Sequence, residues 1–215
     1  MSFRTLVLML LAGIASAQPA SDVTEDGLVR VPSSRKAGVY RSPDVAFTQY
    51  RRVMLAPAPV TFRKNRDRMH AGALKTSDRE RISAELTRLF HEELVAELVE
   101  RGGFEIAAAP GPDVLQIAPS ILDVDMSAPD AGTSPGTHSF VRTAGSMTLI
   151  VELRDAASGV TVGRIIDYEK ARETNELQLA NQVTNSEEAR IAFANAARYT
   201  RDALNVAQNE RPKEK

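Results

Sequence analysis

The sequence predicts an α+β fold: a mostly antiparallel sheet of four to five strands with two main helices packed on one face, preceded by an extended arm. Three observations carry that expectation. Two stretches, Asp78–Arg101 and Ser186–Gln208, repeat apolar residues at three- and four-residue steps, as a helix packed on a core does. One stretch alternates strictly about a turn, with Met147, Leu149, Val151 and Leu153 before it and Val160, Val162, Ile166 and Tyr168 after it, as in a half-buried hairpin. The order arm, strand, helix, strand, strand, hairpin, helix, with no internal repeat, describes a single domain over residues 28–208.

Taken from the start, Arg4 is the only charge before an apolar run from Leu6 to Ile14 that closes on Ala15-Ser16-Ala17. Small residues at the two positions a signal peptidase reads predict a signal peptide over 1–17, cleaved after Ala17. The run is about half the roughly 20 residues a membrane span needs. The chain holds no cysteine, so the expected product is exported, periplasmic or envelope-associated, and not lipid-anchored. Residues 18–27 are polar and aperiodic and predict a disordered leader. Leu28–Tyr50, punctuated by Pro32, Gly38 and Pro43, predicts an arm wrapping the domain. Arg52–Ala56 predicts a first strand that Pro57 and Pro59 close, since proline cannot donate to a ladder.

Ser77 with Glu80 reads as a capping box for the first helix, whose buried stripe is Ile82, Leu86, Leu89, Phe90, Leu94 and Leu98. Gly102-Gly103 supplies its left-handed cap, and Glu85, Glu92, Glu93, Glu97 and Glu100 form an outward acidic face. Phe104–Ala108 and Val114–Met126 predict two more strands. In the second, Leu122, Val124 and Met126 alternate with Asp123 and Asp125, so one face should be buried. Residues 127–143 predict a long loop, of the kind that is usually functional or mobile. The last helix carries Asn185 and Glu188 as a capping pair and an inner face of Ala189, Phe193, Ala196, Ala197, Thr200, Leu204 and Ala207. Residues 209–215 predict a frayed tail.

The formal charge of −1 conceals a polarity. Leu28–Arg68 holds ten basic residues against Asp44 and Asp67, or +8, leaving −10 on the rest of the chain beyond the signal. Within that segment Arg51, Arg52, Arg63, Lys64, Arg66 and Arg68 are the candidate docking residues. Guanidinium forks suit lipid head groups or lipopolysaccharide phosphates. The competing expectation, which the near-cancelling charges favour, is that the segment pairs internally with the acidic helix face and acidic strands. Nucleic acid is excluded as a partner by export and by an aromatic content of 5%.

No catalytic, cofactor or metal constellation stands out. His70, His91 and His138 have no second histidine three or four residues away, so the helical zinc pattern is missing. Asp123, Asp125, Ser127 and Asp130 resemble a calcium loop without its glycine or its final glutamate. Ser33 and Lys36 have the spacing of some acyl enzymes but lie in the proline-containing arm rather than at a helix start.

The stretches DGLVRVPSSRKAGVY, YRRVMLAPAPVTFRK, GPDVLQIAPSILDVDMSAPD, GSMTLIVELRDAASGVTVGRIID and LQLANQVTNSEEARIAF resemble a proteobacterial family of exported envelope proteins of unknown function, many of them lipoproteins. The resemblance spans about residues 25–207, and this chain departs from the lipoprotein members in lacking their lipobox cysteine. It implies fold and compartment and brings no catalytic residue with it. The resulting expectation is a non-enzymatic envelope binding or accessory protein, without cofactor, meeting an envelope protein or an anionic envelope component through the arm and the 127–143 loop. Two alternatives are a periplasmic hydrolase pairing Asp123 or Asp125 with a loop residue, and a homo-oligomeric structural module; the oligomeric state is open.

Overall fold

The computed structural model describes residues 23–33, 37–63, 76–126, 140–141, 145–170, 178–179 and 182–209. The expected signal and the segment with Lys64, Arg66 and Arg68 lie outside them, as does most of the 127–143 loop.

Three long strands make the centre of the sheet: β6 (Val114–Met126), β8 (Gly145–Asp155) and β9 (Thr161–Lys170), all antiparallel neighbours. The β8–β9 hairpin forms where alternation predicts it. Asp155 shapes its turn by accepting from the Ser158 N–H (2.7 Å), and Gly159 takes the positive φ (73°) that closes it.

The arm is not a wrap over the domain. Its strands β1 (Val29–Val31) and β2 (Gly38–Arg41) extend the sheet, β2 pairing antiparallel with β9 and β1 with β2. Leu28, Phe47 and Tyr50 anchor it in the interior. Even residues 23–27, expected in the leader, form a turn in which the Thr24 N–H donates to the Leu28 carbonyl (2.9 Å), while Asp26 pairs with Arg164 of β9 (2.7 Å).

On the other side, β3 (Arg52–Leu55) runs parallel to β6, β4 (Val60–Phe62) runs parallel to β6 further along, and β5 (Glu105–Ile106) is parallel to β3. The sheet is therefore mixed and eight-stranded, not mostly antiparallel with four to five strands. Helical crossovers make the parallel pairs, which an expectation built on hairpins overlooks. Pro57 and Pro59 interrupt the first strand rather than end it: β3 leaves β6 at Ile117, and β4 rejoins it at Ile121. A separate short ribbon pairs β7 (Phe140–Val141) with β10 (Gln178–Leu179).

Helix α1 spans Thr76–Val95 and continues through a widened turn, Ala96–Glu100, in which the Arg101 N–H donates to the Ala96 carbonyl five residues back (3.1 Å). The Phe104 N–H then reaches the Leu98 carbonyl (3.1 Å) across Gly103 at φ 75°, the left-handed cap expected of the glycine pair. Helix α2 spans Gln182–Asn209. Both helices begin before their expected caps, so Ser77 and Asn185 lie inside the first turns rather than at the ends.

The expected inner faces are in place. Leu86, Leu89, Phe90, Leu94 and Leu98 of α1 and all seven predicted residues of α2 are buried. Phe90 stacks on Phe193 at 4.8 Å, joining the two helices over one core with the sheet's inner face.

Two bulges reset the side-chain phase of the strands. One sits near Asp123, at φ 52°, so that Ile121 and Val124, three apart, are both buried, and Leu122 is only half-buried rather than sharing a buried face with Val124 as expected. The other lies between Leu153↔Gly163 and Arg154↔Thr161. It places Ile165 and Asp167 inward and Tyr168 outward, the reverse of the expected Ile166 and Tyr168 face.

Candidate functional site

Two described cations of the basic segment, Arg52 and Arg63, form ion pairs along strand β6. Arg52, on β3, grips Asp113 at the foot of β6 with both forks, Nε to Oδ2 at 2.8 Å and Nη2 to Oδ1 at 2.6 Å. That pairing holds the Asp113 carboxyl below its usual range and raises the guanidinium. Arg63, just past β4, reaches Asp125 at 3.2 Å. Arg51 is exposed, and its backbone N–H donates to the Asp113 carbonyl (3.0 Å). The strand pairing explains these partners, because β3 and β4 lie directly beside β6.

The acidic face of α1 has cations of its own instead. Arg88 holds Glu85 and Glu92, and Arg190 of α2 bridges Glu92 and Glu93. Glu97, expected outward, is 6% exposed where α2 flanks α1, and it receives Arg101 at 2.6 Å and Arg201 at 2.5 Å.

Two grooves flank the helices. One, of about 640 Å³, runs between the proline-rich link Pro57–Pro59 and the Ser83, Thr87 and His91 side of α1. Thr87 ties its walls by donating to the Ala58 carbonyl (2.8 Å), and His91 is exposed at its edge. The other, of about 300 Å³, lies between the arm and α2. Ala37, Val39 and Val206 contribute its apolar part and Arg41, Tyr199 and Asp202 its polar edge. Ser33 also lines it, whereas Lys36 lies outside the described residues.

The remaining sequence candidates do not converge. Asp123 is exposed on its bulge while Asp125 is held by Arg63; His70, His138, Ser127 and Asp130 lie outside the described residues. Among the described residues no three His, Cys, Asp or Glu side chains group as a metal site would require.

One constellation is missed by the sequence reasoning. Asp167 and Glu169 of β9 both point into the core face, opposite Leu149 and Met147 of β8. Asp167 is 5% exposed, and its Oδ2 has no hydrogen-bond partner. Burial raises both carboxyls, and the neighbouring charge of Asp167 helps push Glu169 up to about 7. The signal was a charged pair at i, i+2 in an apolar strand, hidden because the bulge near Val162 shifts the phase of alternation by one.

The sequence matches the family described as "Protein of unknown function (DUF3313)" over residues 19–200, and the chain belongs to that family. No curated protein matches it. Among solved structures it is similar to a PelC dodecamer from Paraburkholderia phytofirmans (13% identity, 75% of this chain and 95% of that one, TM-score 0.35). It is also similar to protein XCC0632 of family DUF330 from Xanthomonas campestris (14%, 77% and 87%, TM-score 0.40) and to a minor lipoprotein from Acinetobacter baumannii (10%, 73% and 94%, TM-score 0.33). At these TM-scores the likeness carries no inference about what this chain binds or assembles into. Among the described residues no helix is long and apolar enough to cross a membrane.

Proposed function

We propose that this chain is an exported, non-enzymatic binding or accessory protein of the cell envelope, and that it meets an anionic envelope component through its basic arm. The observation that carries this reading is the groove between the arm and α2. An apolar floor edged by a few polar groups, Arg41, Tyr199 and Asp202 among them, has the make-up of a binding pocket. In the sequence the basic segment also supplies Arg35, Lys36, Arg51, Arg63, Lys64, Arg66 and Arg68. An anionic head group would meet Arg41 at the edge while its apolar part occupies the groove, and the wider basic segment would draw it to the surface. The export pattern of residues 1–17 supports the compartment, and the absence of cysteine supports a contact without a lipid anchor.

The test is co-sedimentation of the protein, lacking residues 1–17, with anionic and with neutral vesicles. Binding to the anionic vesicles alone is expected. Ala203→Trp, which fills the groove, should weaken it, and so should joint replacement of Arg63, Lys64, Arg66 and Arg68 by Ala. Binding that survives both changes would remove the arm from the function, and binding to neither vesicle would remove the anionic partner.

A further inference from the structure

Strand β9 turns two carboxylates, Asp167 and Glu169, toward the face on which α2 is seated. A buried carboxylate ordinarily brings a cation or several donors with it. This pair has neither among the described residues: Asp167 Oδ2 is unpartnered, and the partner of Asp167 in hydrogen bonding is Glu169 itself.

Among the described residues the surrounding elements add no counter-charge. β8 offers Met147 and Leu149 opposite the pair, and β2 brings Gly38 beside Ile166. α2 presents Ala189 and Phe193 on its buried face. The charged residues on the adjoining turns of α2 are Glu187, Glu188 and Arg190, and Arg190 is committed to Glu92 and Glu93 of α1. Two like charges two residues apart on one buried face cannot both ionise without cost, so the arrangement is satisfied by a proton held between them.

We propose that Asp167 and Glu169 share a proton that seals α2 onto β9, and that losing it loosens this seat, so that the sheet–helix packing tightens in acid and relaxes above neutrality. The device stands independently of the envelope reading, since it needs only this chain. In an exported protein it would respond to the acidity of the surroundings, which no cytoplasm buffers.

The sign follows from linkage. Burial lifts both carboxyls above their unfolded values, so the stabilisation is complete below the unfolded carboxylate range. It is lost as pH rises toward the folded value, about 7 for Glu169.

The experiment measures thermal unfolding of the protein, its double variant Asp167→Asn/Glu169→Gln and the single variant Glu169→Gln between about pH 5 and pH 8.5. The wild type is expected to lose about 3–5 °C relative to the double variant across that range, with Glu169→Gln between them. Amide exchange in α2, corrected for intrinsic rate, should quicken above neutral pH in the wild type alone. A protonated-carboxyl infrared band that persists to about pH 6 and disappears in Glu169→Gln identifies the shared proton without relying on stability. Parallel melting curves, or no such band, would overturn the proposal. If the double variant does not fold, the infrared band and the single variant decide it.

Discussion

Glu97 of the helix pair and Asp167 of the sheet are equally withdrawn from water, at 6% and 5% exposure, yet they are stabilised in opposite ways. Glu97 sits in the widened turn at the end of α1, with Arg101 on one oxygen and Arg201 on the other. Both of its acceptors are used, and its charge is neutralised where it lies. Among the described residues Asp167 meets only Glu169, so on our proposal a proton takes the place of the arginine. The difference teaches that burial alone does not fix the state of a carboxylate. What the facing element supplies does, and α2 supplies arginine at one end of the sandwich and alanine at the other.

The largest expected effect breaks both sites at once. Phe193 stacks on Phe90 and lies on α2 between Ala189 and Arg201, so Phe193→Ala should cost about 3–5 kcal/mol in chemical denaturation. The pH dependence that distinguishes the two carboxylates should fade with it. The next effect separates them. Arg201→Met leaves Glu97 Oε2 buried without its donor, a loss of about 1–3 kcal/mol, and the loss should shrink when Glu97→Gln is added, because no charge is then left unpaired. A double-mutant cycle with zero coupling would show that the pair contributes packing only.

The two regions also differ in how far the sequence announces them. The inner stripes of α1 and α2 follow directly from a 3.6-residue period, because a helix has no mechanism for shifting its phase except a local insertion such as the Ala96–Glu100 turn. Strand phase is less secure. One extra residue near Val162 turned Asp167 and Glu169 inward, and another near Asp123 broke the expected face of β6; neither bulge leaves a compositional mark. The arm was misplaced for a different reason: β1 and β2 have three and four residues, too few to show alternation, and owe their pairing to the open edge of β9. Glu97 was placed with the outward acids because the sequence does not say that α2 lies along that side of α1. The basic segment was visible as composition, whereas its two described ion pairs with β6 required the parallel register of β3 and β4.

The smallest effect sharpens the comparison by supplying its opposite sign. Arg52 and Asp113 form a well-aligned pair in the open, and exposed pairs contribute little because water and salt screen them. Arg52→Ala should therefore move the melting temperature by only about a degree, and less still in high salt. Its pH dependence is the informative part. Arg52 lowers the Asp113 carboxyl, so whatever the pair contributes is present at neutral pH and is lost as pH falls through that depressed value. Asp167 and Glu169 act the other way, with their stabilisation present in acid and lost as pH rises. Relative to the wild type, Arg52→Ala should thus be slightly less stable at neutral pH and Glu169→Gln more stable above neutrality, and both differences should close as pH falls. If Glu169→Gln is instead less stable than the wild type above neutrality, as Arg52→Ala is, the carboxylates of β9 carry a hidden cation, and the contrast with Glu97 disappears.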